Sequence, residues 1–275
     1  MALVDAKLPT LGGRQFWGDE FVQAGWRIQS NVITGEFRLL SPKKLRFAHG
    51  SFETCMQALI EEHPKPYDGR LVLCLHGLGR SWASMDPLVK ILHHKHVDVE
   101  ALTYPSTRAS ISDHATRLLR LISRLENVTE LDFVTHSLGG IVLREALNRT
   151  DSWPPHIHPR RVAMLAPPYH GAALARIFEK WPPVRAVLGE TLEELAKNSH
   201  GGDVPEHVEL LIIAGAMGNE IGLNPLIDGD NDGTVSVRET RPHRAHEFVT
   251  VKAHHSLIMT HQGAIKAVAD FLERP

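Results

Sequence analysis

Apolar segments alternate with amphipathic ones from residue 71 onward, and this alternation constrains the fold more than any other feature of the sequence. Runs that are apolar throughout are typical of buried strands of a parallel sheet, and the segments between them carry apolar residues at helical spacing. The pattern therefore predicts an α/β fold, in which residues 1–275 form one domain with a mostly parallel central sheet and helices on both faces. The expected strands are LVLCLH, VDVEALTY, ELDFVTH, RVAMLA, VELLIIAGA and EFVTVKA, and a closing helix is expected over LIMTHQGAIKAVADFLE.

Two regions depart from this alternation. Residues 1–50 are predicted to be an N-terminal extension of unclear role, which mixes aromatic residues with a possible strand at 37–40. Residues 166–205 form a long proline-containing insertion. Long insertions at the carboxyl edge of such a sheet often cover a site. We therefore consider two interpretations of 166–205, a cap or lid and a surface layer with no role in access.

Composition limits the partners that the chain can have. The formal net charge is −2, so nothing in the charge balance attracts nucleic acid or an anionic membrane strongly. No apolar run approaches the roughly 20 residues needed to span a bilayer, and no signal peptide is visible. Cys74 lies inside an apolar strand and Cys55 is the only other cysteine, which fits a reducing compartment or a protein indifferent to redox state. We expect a cytoplasmic protein without nucleic-acid partners, and the sequence does not predict its oligomeric state.

The stretch FVTHSLGGIVLREAL places Ser137 between an apolar strand and a helix. Such a turn raises a serine above the sheet at a helix N-terminus, where N–H groups favour developing negative charge, and small residues let the two backbones approach. Residues 135–139, THSLG, differ from the G-x-S-x-G pattern of nucleophilic serines at Thr135. In a non-catalytic interpretation, Ser137 is only a helix cap and Gly139 and Gly140 only allow close packing. Because possible partners of Ser137 occur elsewhere in the chain, we predict that it is a nucleophile.

A second glycine-containing turn follows the strand LVLCLH. An acyl-transfer reaction develops an oxyanion, and two N–H donors must converge on it. The amide of Leu138 follows the serine directly, and the amide of Leu78 lies in the His-Gly-Leu turn after a neighbouring strand. We therefore predict an oxyanion hole formed by Leu78 and Leu138, with His76 bracing the turn.

Partners for the serine occur near the end of the chain, where the residue pattern leaves alternatives open. The segment DGDNDG offers Asp228, Asp230 and Asp232 as the acid, and spacing does not choose between them. The base is His254 or His255; a helix cap at the following serine would place the base just before it.

The acidic segment also matches a calcium-loop pattern. Asp228, Asp230, Asp232, Gly233 and Glu239 occupy positions 1, 3, 5, 6 and 12 of that pattern. A helix–loop–helix calcium site needs a helix on each side, whereas predicted strands flank this segment. We therefore expect no metal here, and we interpret the segment as a turn that carries one catalytic aspartate.

Five motifs in order resemble those of the α/β-hydrolase superfamily, specifically bacterial esterases and lipases of the triacylglycerol-lipase-like branch. They are LHGLGRS, VTHSLGGIVLR, LAPPYHG, DGDNDGTVSV and AHHSLIM, and they extend from about residue 70 to 272. The resemblance implies Ser137 as nucleophile, Asp232 as acid and His255 as base. It also implies an α/β-hydrolase fold and cleavage of a small-molecule or lipid carboxylic ester through an acyl-enzyme, without a cofactor.

Other functions remain compatible with these residues. An acyltransferase or amidase would use the same Ser-His-Asp triad, since access of water and the acceptor pocket decide the outcome. A non-catalytic scaffold that binds calcium or a partner is the alternative outside catalysis. The sequence does not specify the acyl-chain length or the physiological substrate.

Overall fold

A computed structural model of the chain describes residues 15–95, 97–171, 202–245 and 247–274. Ten strands and five α-helices lie in these residues. The strands are β1 Trp17–Gln23, β2 Trp26–Asn31, β3 Phe37–Leu40, β4 Arg46–Gly50, β5 Gly69–Leu75, β6 Val99–Leu102, β7 Val128–His136, β8 His158–Leu165, β9 Glu209–Gly215 and β10 Glu247–Val251. The helices are α1 Phe52–Glu61, α2 Asp86–His94, α3 Ile111–Ile122, α4 Leu138–Leu147 and α5 Gln262–Leu272.

A six-stranded parallel sheet in the order β10-β9-β8-β7-β5-β6 forms the centre of the structure. One of its faces packs against the apolar stripes of α3 and α4, and the other packs against α2 and α5. The predicted parallel sheet between two helical layers is therefore confirmed. Because all six strands run the same way, the segments that follow β5, β7, β9 and β10 emerge at one carboxyl edge.

The first 50 residues contain more structure than the single strand predicted at 37–40. Strands β1 to β4 form an antiparallel sheet in sequence order, and α1 packs against it. The core between this sheet and α1 consists of Phe21, Ile28, Leu39, Cys55 and Leu59. The sequence does not reveal β1 and β2 readily because both carry charged residues that the fold buries.

Two buried carboxylates of β1 attach this sheet to the central domain. Asp19 donates its N–H to the Thr103 carbonyl (2.8 Å), and its Oδ2 accepts the Thr103 N–H (2.7 Å) and a bond from Arg27 (2.9 Å). Glu20 is 2% exposed and pairs with three arginines of α3 and the turn that follows it. These are Arg117, Arg120 and Arg124. The N-terminal sheet thus covers the segment that follows β6. Strand β6 is an edge strand of the parallel sheet, and an uncovered edge strand can pair with other chains.

The predicted closing helix is interrupted. Residues His255–Thr260 form a 3-10 helix, and α5 begins only at Gln262. The cap of α5 is His261, whose Nδ1 accepts the Ala264 N–H at 3.3 Å, whereas Ser256 is exposed and does not cap it. The expected cap at Ser256 was therefore wrong, and extended backbone at His261 separates the two helices.

Most of the predicted insertion at 166–205 lies outside the described residues, and only 166–171 and 202–205 are described. The two described ends lie side by side on α4. Arg144 donates from Nε to the Gly202 carbonyl (2.8 Å) and from Nη1 to the Tyr169 carbonyl (3.2 Å). The Val204 N–H donates to the Tyr169 hydroxyl (3.3 Å). The insertion therefore leaves and rejoins the domain beside the helix that follows Ser137.

None of the helices in the described residues is long and apolar enough to cross a membrane.

Candidate active site

Ser137 lies in a sharp turn between β7 and α4. Its φ of 51° and ψ of −118° are unusual for a residue with a side chain, and such a conformation costs about 1–3 kcal/mol unless its surroundings enforce it. The Ser137 N–H donates to the Leu165 carbonyl (3.0 Å), which fixes the turn to the neighbouring strand. A Cβ on Gly139 would lie 2.6 Å from the Leu75 carbonyl oxygen, so no larger residue fits there. The start of α4 therefore lies directly against the end of β5, and Gly139 permits this close approach.

Thr135 replaces the first glycine of the usual serine pattern, and Gly140 makes room for it. A Cβ on Gly140 would lie only 3.2 Å from the Thr135 Oγ1 atom. Thr135 itself is fully buried within β7. The departure at Thr135 therefore leaves the turn at Ser137 intact.

Of the three residues predicted as nucleophile, base and acid, His255 lies within hydrogen-bonding distance of both Ser137 and Asp232. His255 Nε2 lies 3.0 Å from Ser137 Oγ, and His255 Nδ1 lies 2.8 Å from Asp232 Oδ2. Asp232 is completely buried, and His255 is 8% exposed. A neutral imidazole with its proton on Nδ1 can donate to Asp232 while its Nε2 accepts the serine hydroxyl proton.

Asp232 is the aspartate of the acidic segment that reaches His255. Its Oδ1 accepts the N–H groups of Thr234 (3.0 Å) and Val235 (2.8 Å), which leaves Oδ2 for the imidazole. Asp230 accepts the backbone N–H groups of residues 217 (2.6 Å) and 218 (2.8 Å), and Asp228 is exposed.

The calcium-pattern residues direct their carboxylates to separate partners. Asp230 binds backbone N–H groups, Asp232 binds His255, and Glu239 accepts bonds from the N–H (3.0 Å) and hydroxyl (3.1 Å) of Ser236. Within the described ranges, no group of three or more histidine, cysteine, aspartate or glutamate residues is placed to hold a metal ion.

The turn that carries Asp232 is organised by its neighbour Asn231, which the sequence analysis did not single out. The Asn231 side chain is completely buried. Its Oδ1 accepts the N–H groups of Asn224 (2.9 Å) and Gly233 (3.0 Å). Its Nδ2 lies 2.8–3.3 Å from four backbone carbonyls of residues 221–229. The Asn-Asp-Gly sequence could have indicated this role of Asn231, because an asparagine side chain readily bonds nearby backbone groups.

His255 is bonded through its backbone as well as its ring. Its N–H donates to the Asp232 carbonyl (3.0 Å), and its carbonyl lies 3.0 Å from His136 Nε2. His254 is exposed and makes neither contact. The ring of His136 therefore bonds the segment that carries His255.

The turn after β5 lies directly beside Ser137. A Cβ on Gly77 would be 3.3 Å from the Ser137 Cβ and 2.7 Å from His136 Nδ1, which places the following Leu78 next to the serine. Within the described part of the chain, the N–H groups of Leu78 and Leu138 have no hydrogen-bond acceptor.

His76 braces this turn, as predicted. Its Nδ1 lies 2.8 Å from the Gly77 carbonyl, and its Nε2 accepts the Tyr104 N–H (3.3 Å). The rings of His76 and Tyr104 stack with their centroids 4.3 Å apart, and the Tyr104 hydroxyl donates to the His76 carbonyl (2.5 Å). Burial lowers the pKa of His76 to about 4, so the ring is neutral near pH 7 and donates from Nδ1.

Several solved structures share this architecture. The product of gene lin2722 from Listeria innocua is 18% identical, with 76% of this chain and 95% of that chain covered and a TM-score of 0.53. Phospholipase PlaB from Legionella pneumophila is 14% identical, with 74% and 58% covered and a TM-score of 0.54. A pyrethroid hydrolase from Sphingobium faniae JZ-2 is 13% identical, with 76% and 99% covered and a TM-score of 0.50. These similarities show that the chain has the α/β-hydrolase fold.

No curated protein matches the chain by sequence. One family model does match, over residues 38–212, a range that includes Leu78 and Ser137 and ends before Asp232 and His255. The chain therefore belongs to the family described as Domain of unknown function (DUF7379).

Proposed function

We propose that the protein is a serine hydrolase that cleaves carboxylic esters through an acyl-enzyme. The observation that carries this proposal is the continuous line of hydrogen bonds from Ser137 Oγ through His255 to Asp232. A serine hydroxyl is a weak nucleophile unless an oriented base removes its proton. In this chain, the orienting carboxylate is buried and has one oxygen committed to the imidazole.

Each proton in the proposed reaction has a defined place. Ser137 Oγ attacks the ester carbonyl carbon while His255 Nε2 takes the hydroxyl proton, and Asp232 stabilises the resulting imidazolium through the Nδ1–H bond. When the tetrahedral intermediate collapses, Nε2 gives this proton to the departing alcohol and the acyl group stays on Ser137. Water then loses a proton to Nε2 and attacks the acyl carbonyl carbon. When the second tetrahedral intermediate collapses, the acid departs and Nε2 returns this proton to Ser137 Oγ.

We assign stabilisation of the oxyanion to the backbone N–H groups of Leu78 and Leu138. Leu138 is the first residue of α4, so its N–H belongs to the helix N-terminus, which favours negative charge. Leu78 follows Gly77, whose backbone lies against Ser137. Preorganised N–H donors of this kind reduce the barrier to acyl transfer, and loss of one typically costs about 100- to 1,000-fold in kcat.

We further propose a single α/β-hydrolase domain over residues 1–275, with 166–205 as a cap or lid at its carboxyl edge. The described ends of this segment, 166–171 and 202–205, are anchored on α4, the helix that follows Ser137, which supports this proposal. The resemblance to bacterial esterases and lipases favours small-molecule or lipid esters as substrates. The fold shared with structures named as a hydrolase and a phospholipase agrees with this assignment.

A panel of p-nitrophenyl esters of increasing acyl length tests the proposal. We expect the wild type to hydrolyse at least the shorter members, and Ser137→Ala to lose nearly all of that activity while retaining the melting temperature. Folded wild-type protein that hydrolyses no ester of the panel, or a Ser137→Ala variant of undiminished activity, would contradict the proposal. The same assay with anilides and with added alcohols separates ester hydrolysis from amidase and acyltransferase activity.

A further inference from the structure

The ring of His136 lies between the turn after β5, which carries Leu78, and His255, the proposed base. It is 1% exposed, and its centroid lies 4.9 Å from that of the His255 ring. On its other side, the backbone of Gly77 approaches so closely that an added Cβ would lie 2.7 Å from His136 Nδ1. One side chain, directly before Ser137 in sequence, therefore contacts both segments that the proposed reaction must align.

We propose that His136 is a positioning residue, whose Nε2–H bond to the His255 carbonyl holds the base in line with Ser137. This inference rests on the proposed function. His136 reaches neither Ser137 Oγ nor Asp232 in its hydrogen bonds, so it acts through His255.

The partner of Nε2 fixes the tautomer of the neutral His136 ring. A backbone carbonyl can only accept, so Nε2 must carry the proton that bonds to His255. Nδ1 is buried and has no partner in the described residues. Burial, and next the neighbouring His255, hold the pKa of His136 well below its ordinary value, so the ring is neutral and Nδ1 is unprotonated.

The His136 bond anchors the base through the His255 carbonyl. A second bond joins the His255 N–H to the Asp232 carbonyl (3.0 Å). Together they bind both sides of His255, one from β7 and one from the turn that follows β9. Loss of the His136 bond removes the anchor that β7 supplies to the His255 carbonyl. A misplacement of about 1 Å in a reacting group can cost about 100-fold in rate.

A pair of substitutions of similar shape tests this role. His136→Gln retains a side-chain N–H donor, whereas His136→Met has similar length and no donor. We expect His136→Met to lower kcat by about 10- to 100-fold with KM within about twofold, and His136→Gln to recover most of this loss.

His114 provides the matched control. It is 2% exposed, and within the described chain neither of its ring nitrogens has a hydrogen-bond partner. His114→Gln and His114→Met should therefore give similar kcat values, because no backbone anchor depends on that ring. Equal kcat for the Gln and Met variants at His136, in an active wild type, would overturn the inference and leave the proposed function intact. A wild type without esterase activity would instead reject both.

A measurement on the wild type covers the case in which the His136 variants do not fold. Nitrogen-15 chemical shifts of the imidazole rings report which nitrogen is protonated. We expect His136 to carry its proton on Nε2 alone, with that proton bonded to a carbonyl. A neutral ring with its proton on Nδ1 alone would be unable to donate to the His255 carbonyl, and would overturn the proposal.

Discussion

Replacement of His114 by phenylalanine should change the pH dependence of stability in a calculable way. The His114 ring lies in the core beside Tyr104, with centroids 4.9 Å apart. Burial, together with the nearby Arg117 and His76, lowers the pKa of His114 to about 4 from an ordinary value of 6.5. Phenylalanine has a similar volume and removes two polar atoms that have no partner in the described residues. We therefore expect His114→Phe to be close to neutral at pH 7.

The lowered pKa of His114 determines whether the wild type gains or loses stability as the pH falls. Above pH 6.5 the ring is neutral in both the folded and the unfolded chain, and it contributes no pH dependence. As the pH falls below 6.5, the unfolded chain takes up the proton first, so the wild type loses stability until the folded ring also protonates near pH 4. The complete loss corresponds to about 3.4 kcal/mol, of which about 2 kcal/mol falls between pH 7 and pH 5.

Urea unfolding of wild type and His114→Phe at both pH values measures this contribution. Comparison of the two proteins is necessary because other buried groups also titrate. The lowered pKa of His76 also makes the wild type less stable as the pH falls. Burial raises the pKa of Glu100 and Asp132, which instead makes the wild type more stable as the pH falls. The free energy of unfolding of His114→Phe should exceed that of the wild type by about 2 kcal/mol more at pH 5 than at pH 7. An unchanged difference between the two proteins at both pH values would refute this reasoning.

Three further sets of substitutions test the site and the fold. His255→Ala should reduce kcat by several orders of magnitude, against about tenfold or less for the exposed His254→Ala; steady-state kinetics would contradict the base assignment if the order were reversed. Asp232→Asn should cut kcat by about 10⁴-fold because the amide favours the wrong imidazole tautomer, whereas Asp230→Asn should be mild, and equal effects would reject Asp232 as the acid. Glu20→Gln should lower the free energy of unfolding by about 2–3 kcal/mol, because three arginines lose their shared partner; a change below about 0.5 kcal/mol in urea unfolding would show that the ionic attachment is unimportant.

The central domain could be predicted from sequence because its signals are local. Apolar runs marked the parallel strands, and the strand–serine–helix pattern placed Ser137 at the start of α4. The four-stranded N-terminal sheet could not be predicted in the same way. Its strands bury Glu20 and Asp19, which resemble surface residues until their partners, distant in sequence, are known.

In the candidate site, too, local sequence patterns predicted some residues, whereas others depend on contacts between distant parts of the chain. Residue types and their order identified Ser137 and a group of possible acids. Spacing alone did not select Asp232, because the choice depends on packing of the acidic turn against β9, where a Cβ on Gly215 would lie 2.6 Å from the Asp232 Cβ. The role of His136 was missed for a similar reason, since its partner is 119 residues away along the chain.

Reaction with a fluorophosphonate, followed by intact-protein and peptide mass spectrometry, tests the central claim most directly. An activated serine attacks the phosphorus and becomes covalently modified, whereas ordinary serines do not react under the same conditions. We predict one adduct per wild-type chain, located on Ser137, and none on Ser137→Ala. Modification of another serine, or a wild type that remains unmodified while it hydrolyses esters, would contradict the assignment of Ser137 as the nucleophile.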